Sequence, residues 1–327
     1  VQPCCANHAP CAADSMPSPV TLTDKEGKEV AQRQMAIPAH VSTDREICLS
    51  LPVEAPHQWT AETPYLYSLK VELLEKEAVT HTRMERVGFR QISTDGGVFR
   101  INGQAVKLRG VNRHDEHPDV GRATTRKQWL EDLTLMKAAN INYLRLSHYT
   151  PAEGFIELCD SMGMYVGNEV TLGGAGDLMY DPSFSGAVLQ RSYETIVRDI
   201  NKPSIIYWSI GNEDPLTSLH MVSVKLVKAL DPTRPVLLPW RPEEWLPKEV
   251  DILAPHYWKP QEYDRLAAHS DRPIISTEYT HAYGNTGFGG LEARWKALTK
   301  HPAGAGAATW ERAPGATAPS RRRPGTS

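Results

Sequence analysis

The 327 residues hold no apolar run approaching the ~20 residues of a transmembrane helix, so a membrane partner is not expected. They also lack a surplus of either charge. With 36 Lys and Arg against 39 Asp and Glu, the formal net charge is -3, which leaves no electrostatic footprint for nucleic acid. Cysteine is scarce and odd in number: of five, Cys4, Cys5 and Cys11 sit in an N-terminal tail without periodicity, which is no disulfide framework. A zinc site of Cys4, Cys5, His8 and Cys11 has little support. Cys4 and Cys5 are adjacent and no folded segment surrounds them, so an unstructured lead-in is the plainer reading. VQPCCANHAPCAAD has no basic stretch followed by an apolar one, so no signal peptide is read and a cytoplasmic location is expected. The first residue is Val1 rather than Met, which leaves room for an earlier segment. Two motifs are missing as well. There is no Gly-rich phosphate loop after a first strand, which argues against a dinucleotide-binding fold, and no G-x-S-x-G elbow, which argues against a serine hydrolase.

What is present is ordinary globular material, 40% hydrophobic and 23% charged, enough for a large core and, at this length, about two domains. Residues 1–17 read as a disordered lead-in. Over 18–93, VTLTD, EICLSLPV and LYSLKVELL alternate in the strand period, punctuated by Pro52, Pro56 and Pro64. That pattern predicts an immunoglobulin-like β-sandwich, a partial one because a whole sandwich takes about 100 residues.

From residue 94 to 311 the pattern changes to apolar strand-like runs alternating with helical stretches. VKLRGVN precedes the amphipathic RKQWLEDLTLMKAA; INYLRLS precedes AEGFIELCDSM; MYVGNEV, SIIYWSI, PVLLP, DILAPHY and PIISTEY continue the series. Repeated units of this size predict a parallel sheet covered by helices, closed as a (β/α)8 TIM barrel. The eighth strand would be HPAGAGAATW, built from Ala and Gly, which have low β-propensity. With no final helix after it, the barrel is expected to be incomplete at its C-terminus. RAPGATAPSRRRPGTS (312–327) reads as a disordered tail, its three arginines solvated rather than anion-binding.

Catalytic groups of such barrels project from the C-terminal strand ends. Those ends carry Asn112 to His117, then Arg145, His148 and Tyr149, then Asn168 and Glu169, then Asn212 and Glu213. His256 and Tyr257, Glu278 and His281, and Trp310 follow. A polar ring of this kind suits sugar chemistry, in which two carboxyl groups flank the scissile bond. Glu213 and Glu278 end strands four and seven, which lie across the barrel mouth. A lone strand-end Glu is weak evidence, because ion-pair and capping roles are commoner.

The local wording adds to this. WSIGNE (208–213), ISTEYTHAYGN (275–285), LRGVNRHDEHP (108–118) and YLRLSHYTP (143–151) occur in the order found in family-2 glycoside hydrolases of the β-galactosidase type. WTAETPYLYSLKVEL with VGFRQI resembles the immunoglobulin-like domain preceding their barrel. The resemblance covers roughly residues 20–310. It implies Glu213 as acid and later base, and Glu278 as the nucleophile that forms a covalent galactosyl-enzyme. It implies sugar-contacting or transition-state roles for His114, His148, Asn212, Tyr257, His281 and Trp310, and orientation of Glu278 by Arg145. Asp115 and His117 read as supporting loop residues, and His256 receives no role. The implied partner is a β-galactoside. Assembly into oligomers, common in the family, finds no support in this sequence.

The sequence departs from the family at its magnesium site. Gly173 and Ala175 stand where a Glu and a His would join the acid/base Glu around Mg²⁺, and neither side chain can ligate, so no cofactor is predicted. The jelly-roll domain and the C-terminal domains of the family do not lie within these residues. Two other readings stay open. One is another family-2 activity, β-glucuronidase or β-mannosidase. The other is a carbohydrate-binding fragment with weak or no catalysis.

Overall fold

The structure is a computed structural model that describes residues 15–38, 49–75, 77–239, 246–281 and 290–310. The Cys4, Cys5, His8 and Cys11 group, most of the lead-in and the 312–327 tail lie outside the described residues. The chain divides into two compact units. One ends at Trp59 and includes Tyr65–Phe89; the other comprises Thr60–Pro64 and the chain from Arg90 onward.

The first unit contains β1 (Ser15–Thr23), β2 (Glu29–Pro38), β3 (Tyr67–Glu75) and β4 (Ala78–Val87). They form one antiparallel sheet in the order β2-β1-β3-β4. Val20, Leu22, Trp59, Leu66 and Tyr67 are its buried hydrophobic side chains among the described residues, whereas β4 is largely exposed, as a sheet edge is. Among the described residues this unit has a single sheet, where the sequence led to the expectation of a partial sandwich.

The second unit opens with three two-residue strands, β5 (Ile92–Ser93), β6 (Arg100–Ile101) and β7 (Gln104–Ala105), in a small antiparallel sheet. Then come eight parallel strands in a closed ring. They are β8 (Leu108–Arg113), β9 (Tyr143–Leu146), β10 (Tyr165–Val170), β11 (Ile205–Ile210), β12 (Val236–Pro239), β13 (Ile252–Ala254), β14 (Ile274–Ser276) and β15 (Gly304–Thr309). Helices α1 (Arg126–Ala138), α2 (Glu153–Met162), α3 (Ser185–Asp199), α4 (Ser218–Leu230), α5 (Pro260–His269) and α6 (Leu291–Thr299) cover the ring. Every residue of β9 to β14 is buried, as the continuous apolar runs require when both faces of a sheet are covered. Local signals fix the helix ends. The Thr125 backbone N–H donates to Gln128 Oε1 at 2.9 Å at the start of α1, and Gly163 ends α2 with φ 77°. Among the described residues no helix is long and apolar enough to cross a membrane.

Two tyrosines fill part of the inside of the ring. Tyr143 and Tyr207 point inward and share a hydrogen bond between their hydroxyls. Gly110 and Gly167 make room for them, since a Cβ on either would overlap a tyrosine ring or its hydroxyl. The Ala- and Gly-rich β15 closes the ring, pairing Gly306 with Leu108 and Thr309 with Val111. Its composition follows from close approach. A Cβ on Gly306 would overlap the Leu108 carbonyl oxygen, and one on Gly304 the Leu298 carbonyl oxygen. The ring of strands is thus complete, and the place of an eighth helix falls outside the described residues. Gly306→Ala is expected to cost about 3 kcal/mol or more, the upper range of overpacking, because no rotamer relieves a clash with backbone. Chemical denaturation of the two proteins measures this, and equal midpoints would contradict it.

Candidate active site

Strand alternation places the polar ring. On β8, β9, β10 and β11 the residues two positions beyond Gly110, Tyr143, Gly167 and Tyr207 are Asn112, Arg145, Glu169 and Ser209. They therefore stack as a polar layer above the tyrosine layer. Arg145 is its hub and is fully buried. Its Nη1 donates to Glu278 Oε1 at 2.6 Å and to Asn112 Oδ1 at 3.2 Å. Its Nη2 donates to Glu169 Oε2 and to Asn212 Oδ1, both at 2.6 Å, and its Nε also reaches Glu169 Oε2 at 3.1 Å. Ser209 Oγ donates to the same Glu169 oxygen at 2.9 Å. Burial lowers the affinity of a guanidinium for its proton, but the charges of Glu169 and Glu278 outweigh it, and the Arg145 pKa is raised. Burial likewise pushes the Glu169 carboxyl up, but Arg145 and the His148 hydrogen bond hold it below the usual range.

The rim is built by residues just past the strands. Tyr257 and Glu213 both take positive φ, 55° and 53°. The Tyr257 backbone N–H donates to the Glu278 carbonyl at 2.8 Å, and its hydroxyl donates to Glu278 Oε2. Burial first and Glu278 second push the Tyr257 hydroxyl pKa up, so it stays a donor. His256 joins the two glutamates. Its Nδ1 lies 2.7 Å from Glu213 Oε1 and 3.9 Å from Glu278 Oε1, and its Nε2 lies 2.6 Å from Thr277 Oγ1. One oxygen of Glu213, one of Glu278 and a His256 nitrogen all fall within 4.8 Å of one another. The two carboxylates differ in setting: the Glu278 side chain is 6% exposed and that of Glu213 36%.

An aromatic wall stands beside them. His148 stacks on Trp310 with ring centres 5.1 Å apart and planes 16° apart; His281 lies 6.5 Å from Trp310 at 29°. His114 meets Trp310 and His148 edge-on at 5.3 and 5.7 Å. His148 Nδ1 sits 2.9 Å from Glu169 Oε1, which ties this wall to Arg145. Burial, then His148, lowers the His114 pKa. The nine residues singled out from the sequence, Glu213, Glu278, His114, His148, Asn212, Tyr257, His281, Trp310 and Arg145, thus belong to one connected set.

Known families match this arrangement. Residues 92–318 match the family described as glycosyl hydrolases family 2, TIM barrel domain, and residues 19–90 match glycosyl hydrolases family 2. The chain belongs to glycosyl hydrolase family 2. It is 34% identical over 284 residues to a protein named beta-galactosidase from Psychromonas ingrahamii, and 36% over 282 residues to one of the same name from Yersinia enterocolitica. Each alignment covers 80% of this chain and 27% of the relative, so the chain spans about a quarter of their length. Among solved structures, a family-2 member from Bacteroides cellulosilyticus superposes with TM-score 0.78 at 26% identity, over 90% of this chain and 41% of that one. A β-D-glucuronidase from Dictyoglomus thermophilum shares the fold, with TM-score 0.78 at 21% identity, over 91% of this chain and 58% of that one.

The family's magnesium does not fit the residues present. Gly173 and Ala175 offer no ligand, and a Cβ on Gly173 would stand 2.9 Å from Asn212 Cβ and 3.4 Å from His148 Cβ. The loop is instead held by backbone bonds to Asp214: the Gly176 N–H donates to Asp214 Oδ1 at 3.0 Å, and the backbones of Asn212 and Gly174 also bond this carboxyl group. Nor does the Glu213, His256 and Glu278 group suit a metal, because both oxygens of Glu278 already accept bonds, from Arg145 and from Tyr257.

Sequence reading gave no role to His256, and none to Glu169 beyond its place at a strand end. For Glu169 the signal was available in the strand period, which puts it on the same face as Gly167. For His256 it was not, because β13 is three residues long and fixes no alternation past Ala254.

Proposed function

We propose that this chain is the catalytic core of a retaining β-galactosidase, with Glu278 as nucleophile and Glu213 as acid/base. The observation that carries the reading is the pair of carboxylate oxygens within 4.8 Å. Retaining hydrolases separate their carboxyl groups by about 5–5.5 Å and inverting ones by about 6.5–9.5 Å, to admit a water. The difference in setting fits a division of labour. Glu278 is held by a cation and a hydroxyl donor and is suited to attack as an anion. Glu213 is more open to solvent and can meet the leaving-group oxygen and, later, water.

In the first step a Glu278 oxygen forms a bond to the anomeric carbon while the glycosidic bond breaks and the Glu213 proton goes to the departing oxygen. In the second, Glu213 takes a proton from water as the water oxygen attacks the anomeric carbon. The Glu278 ester breaks and the sugar leaves with retained configuration. Trp310 offers a face to the sugar, and His114, His148 and His281 offer polar edges to its hydroxyls.

Galactose is favoured over glucuronate by the relatives named beta-galactosidase.

The test is to trap the covalent intermediate with a 2-fluoro-β-galactoside and map the label by mass spectrometry, alongside turnover of aryl β-galactosides and β-glucuronides. The expected result is label on Glu278 and preference for galactoside. Label elsewhere, or turnover without label, would remove the assignment; sugar affinity with neither would make the chain a binding fragment.

A further inference from the structure

His256 lies outside the residues that the sequence pointed to, yet its ring touches the proposed acid/base directly. Its ring is fixed on two sides. The His256 backbone pairs with that of Glu278 in an isolated parallel bridge, and Nε2 lies 2.6 Å from the hydroxyl of buried Thr277. Thr277 is itself held, because its carbonyl accepts from Asn112 Nδ2 at 2.8 Å, and Asn112 Oδ1 accepts from Arg145. A chain of hydrogen bonds therefore runs from Glu278 through Arg145, Asn112, Thr277 and His256 to Glu213.

The setting of Glu213 makes its orientation matter: it sits on backbone with φ 53°, its side chain is 36% exposed, and the residues at 173 and 175 are glycine and alanine, which offer no ligand to a metal. Resting on the function proposed above, we propose that His256 is a positioning residue for Glu213: its Nδ1–H fixes Oε1, so that Oε2 is the oxygen that carries the proton to and from the substrate. An ionised Glu213 can only accept, so in this arrangement Nδ1 carries the hydrogen and Nε2 accepts from the Thr277 hydroxyl. In the protonated acid, Oε1 then keeps its bond to the imidazole as the carbonyl oxygen, and the hydrogen goes to Oε2. In the second step the same N–H stabilises the carboxylate that receives the proton of water. No metal is required to orient the group.

Side-chain replacement separates this role from a packing role. In His256→Asn the amide nitrogen would stand near the place of Nδ1. In His256→Gln it would stand near the place of Nε2 and contact Thr277 alone. His256→Gln is expected to lower kcat by about 100-fold, the lower range of general-acid contributions, on β-galactosides with poor leaving groups such as phenol. With the activated 2,4-dinitrophenol, which departs without a proton, the loss should be less than about fivefold, and KM should hardly move. His256→Asn should recover most of kcat on the poor leaving groups. Wild-type turnover should be the same in EDTA and in added Mg²⁺. Equal losses for all leaving groups, equal behaviour of the Gln and Asn variants, or EDTA inhibition reversed by Mg²⁺ would overturn the proposal. A measurement free of turnover keeps this distinct from the function itself. In ¹⁵N spectra of histidine-labelled protein, His256 should be protonated at Nδ1, with a signal that shifts in Glu213→Ala and persists in Glu278→Gln. A ring protonated at Nε2 would overturn the proposal even in a fully active enzyme. A wild-type protein with the Nδ1 signal and no turnover would instead defeat the functional reading, and the positioning role with it.

Discussion

Glu278→Gln is expected to lower turnover of an aryl β-galactoside by about four orders of magnitude or more, equivalent to about 5.5 kcal/mol at 1.36 kcal/mol per decade. The argument is chemical rather than steric. Glutamine matches glutamate in size, and its amide oxygen can still accept from Arg145 Nη1, now at 2.6 Å from the carboxylate. The uncharged amide, however, is a poor nucleophile toward the anomeric carbon. It also removes the negative charge that would stabilise an oxocarbenium-like transition state. Folding should survive, because Arg145 keeps its buried partner Glu169 at 2.6 Å. The melting temperature should therefore stay close to wild type while the rate collapses. Side-by-side kinetics and calorimetry check this. Retention of more than a tenth of the wild-type rate in a folded variant would mean that another group attacks the sugar.

Several features were readable from the sequence because they obey a period or a local rule. The apolar runs of the barrel strands, the helix start at Thr125 and the strand-end position of Glu213 after WSIGN all express short-range physics. The wording around Glu278 carried the rest of that pair. What could not be read depends on neighbours distant in the chain. The Ala and Gly content of β15 argued for a weak strand, yet the structure shows why small residues are required there: the Leu108 and Leu298 carbonyls approach too closely for anything larger. Propensity describes a generic pleated surface, and this one is crowded. Helix α5 has a weak local signal, since Pro260 in KPQEYDRLAAH can equally mark a turn; in the fold it occupies the first helical turn, where its missing N–H costs nothing. The backbone bonds that tie the 174–176 loop to Asp214 were likewise invisible, since their donors are backbone groups with no side-chain signature.

Arg145→Met should destabilise the barrel by about 3–5 kcal/mol at neutral pH, the cost of breaking a buried ion pair from one side. At about 2–4 °C per kcal/mol for a domain of this size, that lowers the melting temperature by roughly 6–20 °C. Methionine fills much of the space, so the loss is electrostatic: Glu169 is fully buried, and without the guanidinium its charge keeps the Ser209 hydroxyl and the His148 ring as partners. The pH dependence identifies the cause. In the wild type Glu169 is held below its usual range, so its contribution is present above the unfolded pKa of about 4.3 and is lost only as pH falls through the still lower folded value. In the variant, burial is no longer outweighed by Arg145 and the folded pKa rises above the unfolded one. Folding then favours the protonated acid, and stability falls as pH rises through that value. The gap between the two proteins should therefore be widest near pH 7 and narrow steadily toward pH 4. Replacing Glu169 as well, in Arg145→Met/Glu169→Met, should recover a large part of the loss at pH 7. A gap that does not change with pH, or a double variant no more stable than Arg145→Met alone, would show that Arg145 supports the barrel by packing rather than by charge.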